Sequence, residues 1–412
     1  MKVLQINTVC GVGSTGRIAT DINQILIEQG HESYIAYGRD FPKNCDTAIR
    51  IGTKMDNYAH VALTRIYDKH GFGSKKATEE FITKIEKLDP DVIHLHNIHG
   101  YYINIELLFD YIKRANKRVI WTLHDCWAFT GHCTHFDYVG CTKWKKGCFN
   151  CPEKASYPAS EFLDNSESNY LRKKEIFTGV KDLTIVTPSK WLTGLVKESF
   201  LRDYPVVVIN NGININVFKP TASTFREMHH LNDKFIILGV ASNWGRKKGF
   251  DYFIELSSFL DEDEVIVLVG VSEKQKKELS KKIIGIIRTD SAKELVGIYS
   301  AADVFINPTL EDNFPTTNLE ALASGTPVIT FDSGGSTESL DETCGLIIEK
   351  KETIEIKNYI KRYREENFIK SKSCIERSKM YNVENQYREY MKLYLGEDSK
   401  VIQKEDLVKS FL

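Results

Sequence analysis

Residues 311–329 read EDNFPTTNLEALASGTPVI, and the way this stretch is parsed decides the fold. Two acids, an amide, a Phe and a Pro come first, and a third carboxylate, Glu320, follows farther in. The apolar run DVFIN lies just upstream and PVITFD closes the stretch downstream, each short enough for a buried strand. Between them the spacing predicts a helix that opens at Pro315, a favoured first-turn residue, and stops at Ser324 and Gly325. A helix between two strands that are apolar on both faces is the repeating unit of a parallel sheet.

The same alternation runs outward in both directions. Toward the N-terminus the runs are KVLQINTV, SYIAYG, DVIHLHN, RVIWTLHD, LTIVTPS and VVVINNG, with amphipathic stretches such as RIATDINQILIEQG between them. Around the opening stretch they are KFIILGVAS, EVIVLVG, IIGIIRT, DVFINPT, PVITFD and GLIIE. A dozen such strands exceed one ordinary sheet, and 412 residues exceed one compact core, so two doubly wound α/β domains are expected. The pattern lapses over residues 210–233, where Asn, Gly and Pro collect. The expected division is 1–209, with a Cys-rich insert at 126–152, then 210–384, then a C-terminal helix at 385–412 packing back on the first domain.

Composition narrows the function classes. The chain is 42% hydrophobic and 27% charged with a formal net charge of −1, so no whole-protein field draws in nucleic acid. No apolar run approaches the ~18 residues of a spanning helix, and MKVLQINTV reads as a strand rather than a signal peptide. A cytoplasmic location is expected, with peripheral membrane contact through basic stretches such as YLRKKEIF, residues 170–177, weighed against an ordinary solvated helix face.

In doubly wound sheets ligands sit beyond the carboxyl ends of the strands, so the strand-end residues deserve reading. Gly11, Gly13 and Gly16 fit G-x-G-x-x-G, a loop whose N–H groups can approach a pyrophosphate, or simply a tight strand-to-helix turn. A nicotinamide reading wants an acid at the end of the second strand, where Asp40 comes late behind Arg39. His124 ends RVIWTL and can meet a substrate oxygen or cap the core, while His94 and His96 share a strand face as a metal pair or as packed histidines. Arg246, Lys247 and Lys248 with Gly249 make a cationic turn suited to a diphosphate leaving group, or a solvated surface run. Asp312 and Glu320 suit hydrogen bonds to sugar and ribose hydroxyls; the bland alternative is a Thr317–Glu320 capping box. Gly334 and Gly335, ahead of Ser336, are expected to open another helix with Glu338 in its first turn.

In this order and spacing these positions resemble the retaining family-four glycosyltransferases of GT-B architecture, the group 1 type, over nearly the whole chain. The acid–seven residues–acid helix, the Lys-Gly turn, the strand-end His in TLHD and the stretch NNGININVFKP carry the likeness. The resemblance implies two Rossmann-like domains facing a central cleft, and transfer of a hexose-type sugar from a UDP- or GDP-linked donor with retention. It implies a glycan, lipid-linked or protein-glycan acceptor, as in capsule or exopolysaccharide assembly, and no catalytic metal. It assigns Lys248 to the diphosphate, Glu320 to the ribose and Asp312, with N–H groups beyond Asn313 and Phe314, to the donor sugar. His124 is assigned to the donor sugar, and Gly13 and Gly16 to the diphosphate and acceptor side. Gly334, Gly335 and Glu338 complete the donor site. Two departures stand out: Asp312 occupies a position where many relatives have Glu, with Glu311 as a compensating neighbour. Ser242 replaces the usual Arg, leaving Arg246 or Lys247 to supply that charge. The rivals are an NAD(P)-dependent oxidoreductase resting on GVGSTG and a non-catalytic sugar-nucleotide sensor.

Five of nine cysteines fall in residues 126–151. Cys133, Cys141, Cys148 and Cys151 include a C-x-x-C knuckle, which in a reducing compartment suits a structural Zn²⁺; reduced thiols and disulfides are the alternatives.

Overall fold

The structure, a computed structural model, describes residues 1–366 and 368–397. The chain divides into two compact units: Met1–Asn210 together with the chain from Tyr387 onward, and Asn211–Gln386. Of the helix expected at 385–412, the part beyond residue 397 lies outside the described residues.

The first unit holds seven strands: β1 (Lys2–Asn7), β2 (Glu32–Tyr37), β3 (Ala48–Arg50), β4 (Val92–Leu95), β5 (Arg118–Thr122), β6 (Leu183–Thr187) and β7 (Val206–Val208). They form one parallel sheet in the order β3-β2-β1-β4-β5-β6-β7. The inner strands are buried on both faces, β4 along its whole length, while β3 at the edge is half-buried. The helices are amphipathic in the way that requires. In Ile105–Ala115, Ile105, Leu108, Phe109 and Ile112 recur at three- and four-residue steps on the buried side, and the Asn104 side chain caps the helix by accepting the Leu107 N–H. The end of the chain returns to this unit: in the helix Val383–Leu395, the Tyr390 hydroxyl bonds Thr122 at 3.0 Å and the Tyr394 hydroxyl bonds His94 Nδ1 at 2.7 Å.

The second unit holds β8 (Phe235–Val240), β9 (Glu264–Val269), β10 (Ile283–Ile286), β11 (Val304–Asn307), β12 (Val328–Phe331) and β13 (Gly345–Ile348). Their order is β10-β9-β8-β11-β12-β13, again parallel throughout. The opening stretch folds as read: β11, the helix Thr316–Ala323, then β12.

Both sheets are doubly wound, so each has a place where the chain reverses its direction of winding. It lies between β1 and β4 in the first unit and between β8 and β11 in the second. Loops diverge there beyond the carboxyl ends of the strands, which opens the crevice where such sheets take ligands.

Three sequence expectations are corrected by the fold. Residues 334–339 form turns rather than a helix: the N–H groups of Ser336 and Glu338 bond three residues back, and that of Gly335 is taken by the Asp312 carbonyl. The Thr317–Glu320 capping box is not formed; Pro315 is the N-cap and no side chain caps that helix. YLRKKEIF is no continuous basic face, since Tyr170 and Lys173 are buried and the Lys173 ammonium donates to the carbonyls of Trp127 and Thr130.

Candidate active site

Three loops meet beyond the carboxyl edge of the second sheet, following β8, β11 and β12. After β8, Trp244 is anchored by its indole N–H donating to the Val269 carbonyl at 2.8 Å. The 3₁₀ turn Arg246–Lys248 follows and ends at Gly249, whose φ of 79° lies in the left-handed region. A Cβ on Gly249 would stand 2.3 Å from the Pro308 carbonyl oxygen, so glycine is what lets this turn lie against the end of β11. The Lys247 carbonyl accepts from the Leu310 N–H at 2.8 Å and the Thr309 hydroxyl at 3.3 Å, tying the two loops together.

That backbone contact brings two lysines against two acids. Lys248 Nζ donates to Asp312 Oδ2 at 2.5 Å, and Lys247 Nζ pairs with Glu311 Oε2 at 2.9 Å. The pairs differ in character. Glu311 is buried, its side chain only 2% exposed, whereas the Lys248 and Asp312 side chains are 43% and 19% exposed. Glu311 is therefore turned inward onto Lys247 and is not the compensating neighbour of Asp312 that its position suggested. Lys247 is likewise engaged in bracing the loop, while Arg246 stands exposed at the start of the turn and Ser242 is exposed as well.

The third loop locks Asp312 from the other side. Its carbonyl accepts the Gly335 N–H at 3.1 Å, and a Cβ on Gly334, at a φ of 58°, would lie 2.1 Å from that same oxygen. The two glycines thus act by allowing close backbone approach to Asp312. The Glu338 carbonyl accepts from Arg377 at 3.1 Å and from the Tyr381 hydroxyl at 3.0 Å.

Glu320 sits past the first turn of the helix Thr316–Ala323 and is only 4% exposed. Tyr299, fully buried, donates its hydroxyl to Glu320 Oε2 at 3.0 Å. A charge-assisted bond of this kind fixes one carboxylate oxygen and orients the other. Sequence reasoning missed Tyr299, which sits in an apolar helical pattern and carries no motif of its own. It missed Asn318 too, whose amide accepts from Asn307 at 2.9 Å and donates to the Ser336 carbonyl at 3.0 Å, tying the helix to the neighbouring loop. The Phe314 ring is 2% exposed and packs against Tyr381 with centroids 5.5 Å apart, and its carbonyl accepts from Asn211 at 2.9 Å, so only its backbone N–H is left for the role the sequence suggested. It serves the core and presents no side chain to a ligand. Asn313 beside it is also buried.

In the first unit, the glycine loop follows β1. The Gly11 N–H donates to the Gly16 carbonyl at 3.0 Å, and a Cβ on Gly11 would meet the Lys43 carbonyl at 2.1 Å. Gly13, with φ of 65°, is the first residue of the helix Gly13–Glu28, and a Cβ on Gly16 would sit 3.1 Å from the Gly11 nitrogen.

Beyond β4 and β5 the histidines form a polar cluster. Burial pushes His124 down to about 4, His94 down to about 3 and His96 well below the ordinary imidazole range, so all three are neutral at pH 7. His94 is satisfied by Tyr394 and by Thr122 at 2.8 Å, the packed alternative for that pair. Next to His124, Asp125 accepts from His99 Nε2 at 2.9 Å and from the Trp127 N–H at 2.9 Å. Burial raises the Asp125 carboxyl, but His99 and these bonds outweigh it and hold it at about 2.

Cys133, Cys141, Cys148 and Cys151 do line one small pocket, with Trp144 and Pro152. Within it Cys133 and Cys151 are free thiols hydrogen-bonded to one another, and Cys148 Sγ accepts the Gly131 N–H at 3.2 Å. Among the described residues no group of three or more His, Cys, Asp or Glu is arranged to hold a metal ion.

Comparisons with known proteins bear on this arrangement. Residues 221–381 match the family model "Glycosyl transferases group 1". The chain is 24% identical over 375 residues to the "Putative colanic acid biosynthesis glycosyl transferase WcaC" of Escherichia coli K12, covering 86% of this chain and 89% of that protein. Among solved structures, sucrose-phosphate synthase from Thermosynechococcus elongatus superposes with a TM-score of 0.72 at 19% identity, covering 96% of this chain and 98% of that one. HepE of Anabaena in complex with UDP-glucose superposes with a TM-score of 0.68 at 13% identity, covering 96% and 100%. The fold is that of the GT-B glycosyltransferases, two Rossmann-like units in one chain.

Proposed function

We propose, on the premise that this GT-B chain is a group 1 glycosyl transferase through residues 221–381, that it moves a hexose-type sugar from a nucleoside diphosphate onto a growing glycan. The observation that carries the reading is the Lys248–Asp312 pair at the reversal point of the second sheet, four residues ahead of the helix that carries Glu320. A lysine and an acid held together on braced loops suit a ligand that brings both negative phosphate and neutral hydroxyls.

In this proposal Lys248 meets the diphosphate, Asp312 accepts from hydroxyls of the donor sugar, and Glu320, steadied by Tyr299, accepts from the ribose. Arg246 and the N–H groups at the start of Thr316–Ala323, which no side chain caps, add positive potential where the leaving group gains charge. The acceptor hydroxyl attacks the anomeric carbon on the face the diphosphate leaves. Its proton passes to the departing phosphate oxygen, so configuration is retained and no protein base is needed. His124, neutral at pH 7, contacts a sugar hydroxyl rather than serving as an acid. Gly13 and Gly16 let the backbone of the first unit come close to a substrate.

HepE is described as a complex with UDP-glucose, which supports a UDP-linked donor, and WcaC is named for colanic acid biosynthesis, which supports an exopolysaccharide or capsule acceptor, glycan or lipid-linked. No described helix is long and apolar enough to cross a membrane. The proposed location is the cytoplasm, with peripheral contact at the inner face of the membrane where a lipid-linked acceptor would be met.

A nucleotide-release assay across UDP- and GDP-linked sugars, with and without oligosaccharide acceptors, tests the reading. One donor class is expected to release nucleotide in an acceptor-dependent way, with Lys248→Ala reducing the rate by at least 100-fold. Tight binding of a nucleotide sugar with no release under any acceptor would leave a sensor instead.

A further inference from the structure

Gln5 belongs to no motif singled out in the sequence and His96 was read there only as a metal-pair or packed histidine, yet both stand directly behind His124. Gln5 lies in β1 and is fully buried. Its amide NH₂ donates to the Ala19 carbonyl at 3.0 Å, which fixes the side-chain flip and turns Oε1 toward His96 Nε2, 3.0 Å away. An amide oxygen only accepts, so His96 must carry its proton on Nε2. His96 is buried and neutral and has one ring proton, so its Nδ1 is a bare lone pair. That nitrogen is 3.1 Å from His124 Nε2, with the ring planes within 13° of each other, which puts the lone pair in line with an N–H on His124. His124 then spends its own single proton on Nε2.

We infer that Gln5 and His96 are positioning residues that set His124 in the Nε2–H tautomer, making its Nδ1 a hydrogen-bond acceptor for a sugar hydroxyl. The direction of every bond follows from one amide: Ala19 orients Gln5, Gln5 orients His96, and His96 orients His124. A sugar hydroxyl at this nitrogen donates, so the site favours a free hydroxyl over fluorine, an ether or a keto oxygen at the same carbon. The sugar contact rests on the proposed function, whereas the tautomer stands on the hydrogen bonds alone. Asp125 and His99 are the charged and titratable neighbours of His124; Asp125 favours the protonated ring and His99 opposes it, and neither changes which nitrogen keeps the last proton.

The test is long-range ¹H–¹⁵N spectroscopy of the histidine-labelled full chain at pH 7.5, with His124 assigned through loss of its signals in His124→Ala. The expected pattern is a protonated Nε2 and an unprotonated Nδ1. A proton on Nδ1, or a doubly protonated ring, overturns the inference without any variant being needed. Gln5→Glu keeps an acceptor facing His96 and is expected to keep the tautomer; Gln5→Met removes it and is expected to give a mixture. An unchanged pattern in a folded Gln5→Met protein also overturns the inference. With a donor that turns over, Gln5→Met is expected to lower kcat/KM about 10-fold, the scale of one hydrogen bond, with Gln5→Glu within about 3-fold of the parent. The expected tautomer in a protein that transfers no sugar would sink the proposed function and leave the relay standing.

Discussion

Removing Asp312 is expected to push two measurements in opposite directions, which no general loss of structure would do. As the protein stands, Lys248 Nζ is occupied by Asp312 Oδ2 at 2.5 Å, in a pair whose side chains are 43% and 19% exposed. A partly exposed pair of this kind is worth about 0.5–1 kcal/mol. A phosphate arriving at Lys248 must weaken that bond and also stand some ~6 Å from the Asp312 charge. At an effective dielectric constant of about 40, that repulsion costs roughly 1.4 kcal/mol. Asp312→Ala relieves both, about 1.9–2.4 kcal/mol together, so a bare nucleoside diphosphate should bind about 25- to 60-fold more tightly, less so at high salt. Sugar transfer should move the other way. Losing a charge-assisted bond to the donor sugar costs about 1.5–3 kcal/mol, so kcat/KM should fall between about 10- and 150-fold. Lys248→Ala should weaken both, with diphosphate affinity down by about 30-fold or more. Titration calorimetry with UDP and GDP at low and high salt, beside the nucleotide-release assay, reads all of these. The reasoning fails if Asp312→Ala weakens diphosphate binding as Lys248→Ala does, since the pair would then be a structural clamp.

Three further outcomes follow from individual contacts. Tyr299→Phe deletes the hydroxyl that donates to Glu320, and should weaken nucleotide binding about 10-fold while leaving 2′-deoxynucleotides little changed; an equal loss for both would show that Glu320 does not read the ribose. Acid should unfold the first unit early. His60 and His94 are buried and pushed down to about 4 and about 3, so below pH 6.5 the unfolded chain takes up protons that the folded one refuses, and stability is lost as pH falls. At pH 5 the two together cost roughly 4 kcal/mol, and circular dichroism from pH 7 to 4 should show loss beginning below 6.5; a flat profile to pH 4.5 would contradict it. Dialysis against a chelator tests the zinc expectation at Cys133, Cys141, Cys148 and Cys151, which line one pocket: loss of one zinc per chain with a fall in melting temperature of more than about 4 °C is the outcome a structural Zn²⁺ requires. A chain that carries no zinc and keeps its melting temperature would leave reduced structural thiols instead.

The legible part of this chain was what short-range pattern encodes. β11, its following helix and β12 could be read from residues 303–332, because apolar runs and a Pro-to-Gly interval set both periods and boundaries. Asp312 and Lys248 were legible for a different reason: each lies just past a strand, and a doubly wound sheet sends every strand end to one edge. What stayed hidden depends on pairings that the sequence does not rank. Glu311 and Asp312 are adjacent acids facing adjacent lysines, and only the Lys247 carbonyl, bonded to Leu310 and Thr309, decides which acid is buried. Gly334 and Gly335 were rightly marked as a special backbone, yet their use is to admit the Asp312 carbonyl rather than to begin a helix. Tyr299 and Gln5 were invisible because both occupy positions where an apolar residue would satisfy the same pattern. They place a single polar atom inside a core, and each stands behind a residue that the sequence did reveal, Glu320 or His124. A site of the proposed design exposes the groups assigned to substrate at strand ends and keeps the groups that orient them within the sheet and its packed helix. Its second layer is therefore expected to be found from hydrogen bonds and not from spacing.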